Sequence, residues 1–176
     1  MLPTDPMIRV DLVSGTVRPG QAWEGERLSI TDCFQRFFAF AVRRLKWLAL
    51  IPGAPQIFDT VLLSATAVFF PARLRAISAV EKAVSELRGV KPGVHRLGGI
   101  GFYFRGKECS HIHGNGLLDC FVGQANREAL VREHRASPHH VFPRSGWISF
   151  WIEDGDDVVS AIDLIRVACA YQEDLK

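Results

Sequence analysis

The chain predicts an α+β fold: a four-stranded antiparallel sheet with flanking helices in the order α-β-β-β-α-β-α, preceded by an N-terminal apolar helical segment. Three observations predict it. A helical stripe opens the region. Three runs of alternating character follow, two of them joined by Asn115-Gly116, a pair that tolerates the positive φ angles of tight hairpin turns. A polar helix, one more strand and a final amphipathic helix close the chain. Hairpin connections make the sheet antiparallel, with helices expected on one face.

Each element has its own warrant. Arg73–Arg88 places Leu74, Ile77, Val80, Val84 and Leu87 on one stripe, ended by Gly89 and Gly93. Ile100–Arg105 reads as a strand, with Phe102 and Phe104 on one face and Tyr103 and Arg105 on the other. Lys107–His113 and Leu117–Val122 are the hairpin strands. Gln124–Ala136 is a polar helix carrying the i,i+4 pair Glu128/Arg132, and Ser137-Pro138 stops it. Gly146–Ile152 is the fourth strand, with Trp147 and Trp151 on one face and Ile148 and Phe150 on the other. Asp154 or Asp156 caps the last helix, whose buried stripe is Val158, Ile162, Ile165 and Cys169.

This division gives residues 1–31 as an N-terminal arm, 32–71 as a basic and apolar helical segment, and 72–176 as the α+β domain. In the middle part Cys33–Leu50 is a basic, aromatic-rich helix with Asp32 as its N-cap candidate, and Ile57–Phe70 is a second apolar run. A spanning helix needs about 20 apolar residues, and the second run is shorter and contains Asp59. Packing on the main domain or on a second subunit, or lying on a membrane surface through residues 32–70, are the two expectations.

At 48% hydrophobic and 23% charged, the chain reads as an ordinary globular protein. Twelve lysines and arginines between Arg36 and Lys107 face three acids, Asp59, Glu81 and Glu86, while the sequence from Ile152 onward is acidic. A net charge of +2, with basic residues not interleaved with exposed aromatics in a recognisable module, argues against nucleic acid as a partner. The four cysteines are widely spaced and the first thirty residues hold no apolar signal core, so the expected setting is cytoplasmic, peripheral to a membrane if residues 32–70 lie on one.

The candidate site is built of histidines. All six fall between His95 and His140. His111 and His113 alternate onto one side of a strand, together with Cys109, about 6–7 Å apart. Two such imidazoles hold a substrate between them or share a metal ion, with Asp119, His139 or His140 as the third ligand. Arg105 would bind an anionic substrate group, and Trp147 would line an apolar pocket or join the core.

The segments HRLGGIGFYFRGKECSHIHGNGLLD, EALVREHRASPHHVFPRSGWISFWI and DDVVSAIDLIRVACAY, joined in that order, resemble the luciferase-domain family, which contains the fungal luciferases and many bacterial chains. RFFAFAVRRLKWLALIPGAPQIFD resembles what precedes this domain in bacterial members. The fungal enzymes add molecular oxygen to a hydroxylated α-pyrone without a metal or organic cofactor, and carry an N-terminal membrane segment. The resemblance therefore implies a cofactor-independent oxygenase-like enzyme for an acidic enol or pyrone-type small molecule. By motif, His111, His113, His140 and Trp147 match, whereas His139 and the Gly114–Leu118 turn depart from the fungal pattern. The implied roles are His111 or His113 as base, His140 as a further catalytic group, and Arg105, Asp119, His139 and Trp147 around the substrate. A metal-dependent enzyme with the ion at His111/His113, and a non-enzymatic membrane-associated module, are the rival expectations.

Overall fold

Helix α1 (Ala54–Phe69) starts at Gly53, whose φ of 83° leads into Pro55 in the first turn. It is the first element of a computed structural model that describes residue 51 and residues 53–175. These residues belong to one compact unit, Phe38–Lys176. The expected arm and the Cys33–Leu50 helix lie outside the described residues. Helix α2 (Pro71–Ser85) follows after Phe70, and the remaining elements are β1 (Val90–Val94), β2 (Ile100–Phe104), β3 (Lys107–Ile112), β4 (Leu117–Phe121), α3 (Gln124–Arg132), β5 (Ser137–Pro138), β6 (Trp147–Trp151) and α4 (Asp157–Asp174).

The fold is α+β with an antiparallel sheet and flanking helices, but the sheet has six strands rather than the expected four, in the order β1-β2-β3-β4-β6-β5. The two additions are edge strands. β1 contains Pro92 and Gly93 and exposes four of its five residues, so it shows no alternating pattern. β5 is two residues long and ends in Pro138, the residue that reads as a helix stop.

One face of the sheet is packed under α2 and α4. Phe102, Ile112, Leu118, Ile148, Val80, Val84, Leu164 and Ile165 are buried there, each contributing about 1.5–3 kcal/mol through apolar burial. The stripes differ slightly from those expected. α2 buries Ala76 and Arg73 beside Ile77, Val80 and Val84, and leaves Leu74 and Leu87 half-buried. α4 buries Ala161, Leu164, Ile165, Ala168 and Cys169, while Val158 and Ile162 are half-buried. Asp156 occupies the N-cap position of α4 but its side chain makes no cap bond. Instead, Asp157 Oδ2 accepts the Glu153 N–H at 2.7 Å and Asp154 Oδ1 accepts that of Asp156 at 2.9 Å.

Arg105 leaves the strand. It has φ 51° and Gly106 φ 85°, so the pair forms the two-residue turn between β2 and β3. The turn after β3 runs through Asn115 and Gly116, as expected. The Gly116 N–H donates to His113 O at 2.9 Å, and Asn115 Oδ1 accepts the Leu117 N–H at 3.2 Å. Arg73, only 2% exposed, reaches this turn from α2 and donates to Asn115 O at 3.5 Å. α1 closes over the same turn: a Cβ on Gly114 would lie 2.7 Å from Leu63 N and 2.8 Å from Asp59 O.

α1 turns Asp59, Leu62 and Thr66 inward and leaves Ile57, Val61, Val68 and Phe69 at least 60% exposed. No helix among the described residues is long and apolar enough to cross a membrane.

Candidate functional site

The sheet face opposite the helical core carries a row of cross-strand neighbours: Gly101 on β2, His111 on β3, Asp119 on β4, Ser149 on β6 and Ser137 on β5. Period-two alternation puts His111 on this face. It would put Glu108 on the other, but the register shifts between Phe102 and Tyr103: Phe102 pairs with Ser110 and Tyr103 with Glu108. Cys109 is thus the extra residue of a β-bulge. The bulge corrects the expected placement of Cys109 beside the histidines. Its Sγ lies 3.6 Å from Cys169 Sγ on α4, in the core. Glu108 takes its place on the histidine face.

Glu108 Oε1 lies 2.8 Å from His111 Nδ1 and 2.7 Å from His95 Nδ1, the second contact off the line of a good hydrogen bond. His95 comes from the loop between β1 and β2, and its ring stacks on that of His111, with centroids 3.7 Å apart at 11°. An ionised carboxylate only accepts, so the His111 Nδ1 carries a proton and its Nε2 points onward to Asp119 Oδ2, at 3.3 Å.

Asp119 is wholly buried. Besides His111, its Oδ2 faces His139 Nε2 at 3.6 Å and His113 Nε2 at 3.8 Å, yet it accepts no well-aligned hydrogen bond. His113 in turn places Nδ1 3.5 Å from Asp59 Oδ1 on α1, the oxygen that also accepts the Gly114 N–H at 2.8 Å. Asp119 Oδ1 accepts the Ser149 hydroxyl at 2.5 Å. Ser149 Oγ lies 3.4 Å from His140 Nδ1, and since its own proton goes to Asp119, it accepts from His140. This order places the basic nitrogen of His140 at Nε2.

His139 is fixed differently. Its Nδ1 accepts the backbone N–H groups of Val141 and Phe142, both at 3.0 Å. The proton of the neutral ring therefore sits on Nε2, the nitrogen facing Asp119.

These contacts set the charges. Burial pushes the Glu108 carboxyl up, but the hydrogen bond from His111 and the close His95 imidazole outweigh it and bring it to about 2. Burial alone would depress His111; the adjacent carboxylates of Asp119 and Glu108 reverse that and raise it to about 9. Asp119 sits well below the usual carboxylate range, because His111 and His140 outweigh its burial. Burial lowers His113 against the pull of Asp59, and lowers His139 to about 4. The site thus joins two anionic carboxylates and one histidine held charged to two histidines held neutral.

Three sets of side chains bring ligand atoms within 4.8 Å of one another, close enough to hold a metal ion: His95/Glu108/His111, His111/His113/Asp119 and Asp119/His139/His140.

Of the residues singled out from the sequence, His111, His113, Asp119, His139 and His140 come together here. Trp147 stands beside them, 5.4 Å from the His111 ring and 6.0 Å from that of His139. Arg105 pairs with Glu173 on α4 at 2.7 Å instead. Four participants escaped the sequence reading. Glu108 was hidden by the bulge, His95 by an unrecognised strand before it, Asp59 by its place on a distant helix, and Ser149 by lacking any motif. The clustering of all six histidines was the one signal that could have recruited His95.

A family described as Luciferase domain matches residues 106–168. The match contains Glu108, His111, His113, Asp119, His139, His140, Trp147 and Ser149, and excludes Asp59 and His95. No curated protein and no solved structure matches the chain.

Proposed function

We propose that this chain, which carries a luciferase domain and so belongs with the luciferase-domain proteins, is an oxygenase-like enzyme acting on an acidic enol or pyrone-type small molecule at the Asp119 cluster. One observation carries the reading: a wholly buried carboxylate faces four imidazoles delivered by β3, by the turn after it and by the loop before β6. Such concentrations of ionisable groups are costly to take out of water and recur where proton transfer is the task.

His140 is the general base. It lies on the open side of the cluster with its side chain 25% exposed, and the Ser149–Asp119 relay orients it with Nε2 as the proton acceptor. It removes the enol proton. The enolate rests beside the charged imidazole of His111. Electron transfer from the enolate carbon to oxygen, followed by carbon–oxygen bond formation, gives a peroxide. Trp147 flanks the ring of the substrate. His139, with its proton on Nε2, faces Asp119 Oδ2 at 3.6 Å.

The test is oxygen consumption by the purified chain across a panel of hydroxypyrones and acidic 1,3-dicarbonyl enols. Turnover with at least one member is expected, falling about 10²–10⁴-fold in kcat for His140→Ala and strongly for Asp119→Asn. Turnover unchanged in both variants removes the site; no turnover across the panel removes the oxygenase class.

The exposed apolar face of α1 favours a second element of the reading, attachment to a membrane surface with the basic residues upstream. Flotation with anionic vesicles checks it. Absence of binding, or binding indifferent to Arg43→Glu, Arg44→Glu and Lys46→Glu together, removes it.

A further inference from the structure

We infer that His111, His113 and Asp119 form a mononuclear site for a divalent first-row transition metal ion. The inference deepens the enzyme reading and rests on the same cluster. Its first support is Asp119 Oδ2, a buried oxygen that accepts no hydrogen bond although imidazoles surround it. A buried acceptor of this kind demands a partner.

The second support is spacing. His111 Nε2 and His113 Nε2 stand 3.3 and 3.8 Å from that oxygen. Ligands bonded to one ion at about 2.0–2.2 Å lie roughly 3–3.5 Å from each other, so small side-chain rotations suffice to close the site around an ion.

The third support is the outer shell. Each imidazole turns Nδ1 to a carboxylate, His111 to Glu108 at 2.8 Å and His113 to Asp59 at 3.5 Å. Those contacts turn Nδ1 toward the carboxylates and aim Nε2 of each ring at the same point, where an ion would displace the second proton of the charged His111; metal-bound histidines use this arrangement. Glu108 reaches its place only through the bulge, and Asp59 only through the docking of α1.

His139 is excluded as a ligand by its own hydrogen bonds. With Val141 and Phe142 donating to Nδ1, its Nε2 carries hydrogen. His140 also stands outside the set, because its Nδ1 faces Ser149 Oγ and the other carboxylate oxygen, Asp119 Oδ1; two imidazoles and one carboxylate remain. That donor set suits iron, manganese, cobalt or zinc over calcium or magnesium, and it leaves coordination positions open. An enolate oxygen would take one of them, with the ion supplying the positive charge that the proposed reaction needs.

The test uses the full chain, stripped with a chelator and titrated with cobalt(II) while its visible absorption is followed. A saturating band at about one equivalent is expected, because a stoichiometric site binds one ion per chain. Asp119→Asn and His113→Ala should each weaken binding at least about tenfold, and Asp59→Asn about 10–100-fold. His134→Ala, on the surface, should leave it unchanged. Near-ultraviolet circular dichroism separates lost binding from lost fold. A folded parent with no saturable band overturns the site, as does a band indifferent to all three variants. Undiminished oxygen consumption by the stripped protein would also overturn it, leaving the His111 imidazolium as the positive charge and the enzyme reading intact. Cobalt binding without any enol turnover would sustain the metal site and sink the oxygenase reading alone.

Discussion

Glu108 is the residue through which the electrostatics of the site can be read most directly. Consider Glu108→Gln in protein stripped of metal. The glutamine keeps the shape and an acceptor oxygen but loses the charge that two imidazoles share. A carboxyl brought from 4.5 to about 2 on folding corresponds to about 3 kcal/mol, at roughly 1.4 kcal/mol per tenfold change in proton affinity. Because the folded value is the depressed one, this stabilisation is present above the unfolded value of 4.5 and is lost as the pH falls toward 2. His111 has the opposite sign. Its folded value is raised to about 9, so its share is complete below 6.5 and is lost as the pH rises through 9. The two shares describe one shared interaction, and they overlap between 4.5 and 6.5. Urea unfolding at pH 6 should therefore place the variant about 3 kcal/mol below the parent. Below pH 4.5 the gap should close by about 1.4 kcal/mol per pH unit. A gap of the same size at pH 6 and pH 3.5 would show that the charge of Glu108 is not the cause, and no gap at pH 6 would refute the ion-pair network itself.

Two further substitutions probe the frame around the site. Gly99→Ala should destabilise by about 3 kcal/mol in thermal or urea melts, from positive-φ strain and overpacking together. Gly99 has φ 89°, and a Cβ there would overlap the Ile112 carbonyl beside the His95 loop; a neutral result would mean that the loop moves freely. Arg105→Ala should cost less than about 1 kcal/mol, as exposed ion pairs do, and should leave turnover unchanged, because Arg105 is committed to Glu173. A tenfold fall in turnover would return Arg105 to the substrate.

The sequence by itself determined the class of fold and the presence of the histidine pair. Alternation and the Asn115-Gly116 turn specify an antiparallel hairpin, and a strand with His-x-His presents both rings on one side, whatever else surrounds it. Local patterns of this kind are properties of short segments, so they can be read without contacts. The same logic failed at Cys109, where alternation places a thiol among the histidines. The bulge is set by pairing with β2, and it exchanges Cys109 for Glu108. β1 and β5 escaped because edge strands with proline carry no burial pattern.

Only the tertiary structure decided which groups meet. Asp59 reaches His113 across more than fifty residues, through the packing of α1 over the Gly114–Gly116 turn. Ser149 joins Asp119 because β4 and β6 pair in a register that puts them opposite each other. His139 keeps its proton on Nε2 because two backbone N–H groups of its own loop point at Nδ1. Each of these depends on distances between segments remote in the chain or on the course of a loop. Charge and tautomer follow from such distances, and for that reason the chemistry of the cluster became legible only once the chain was folded.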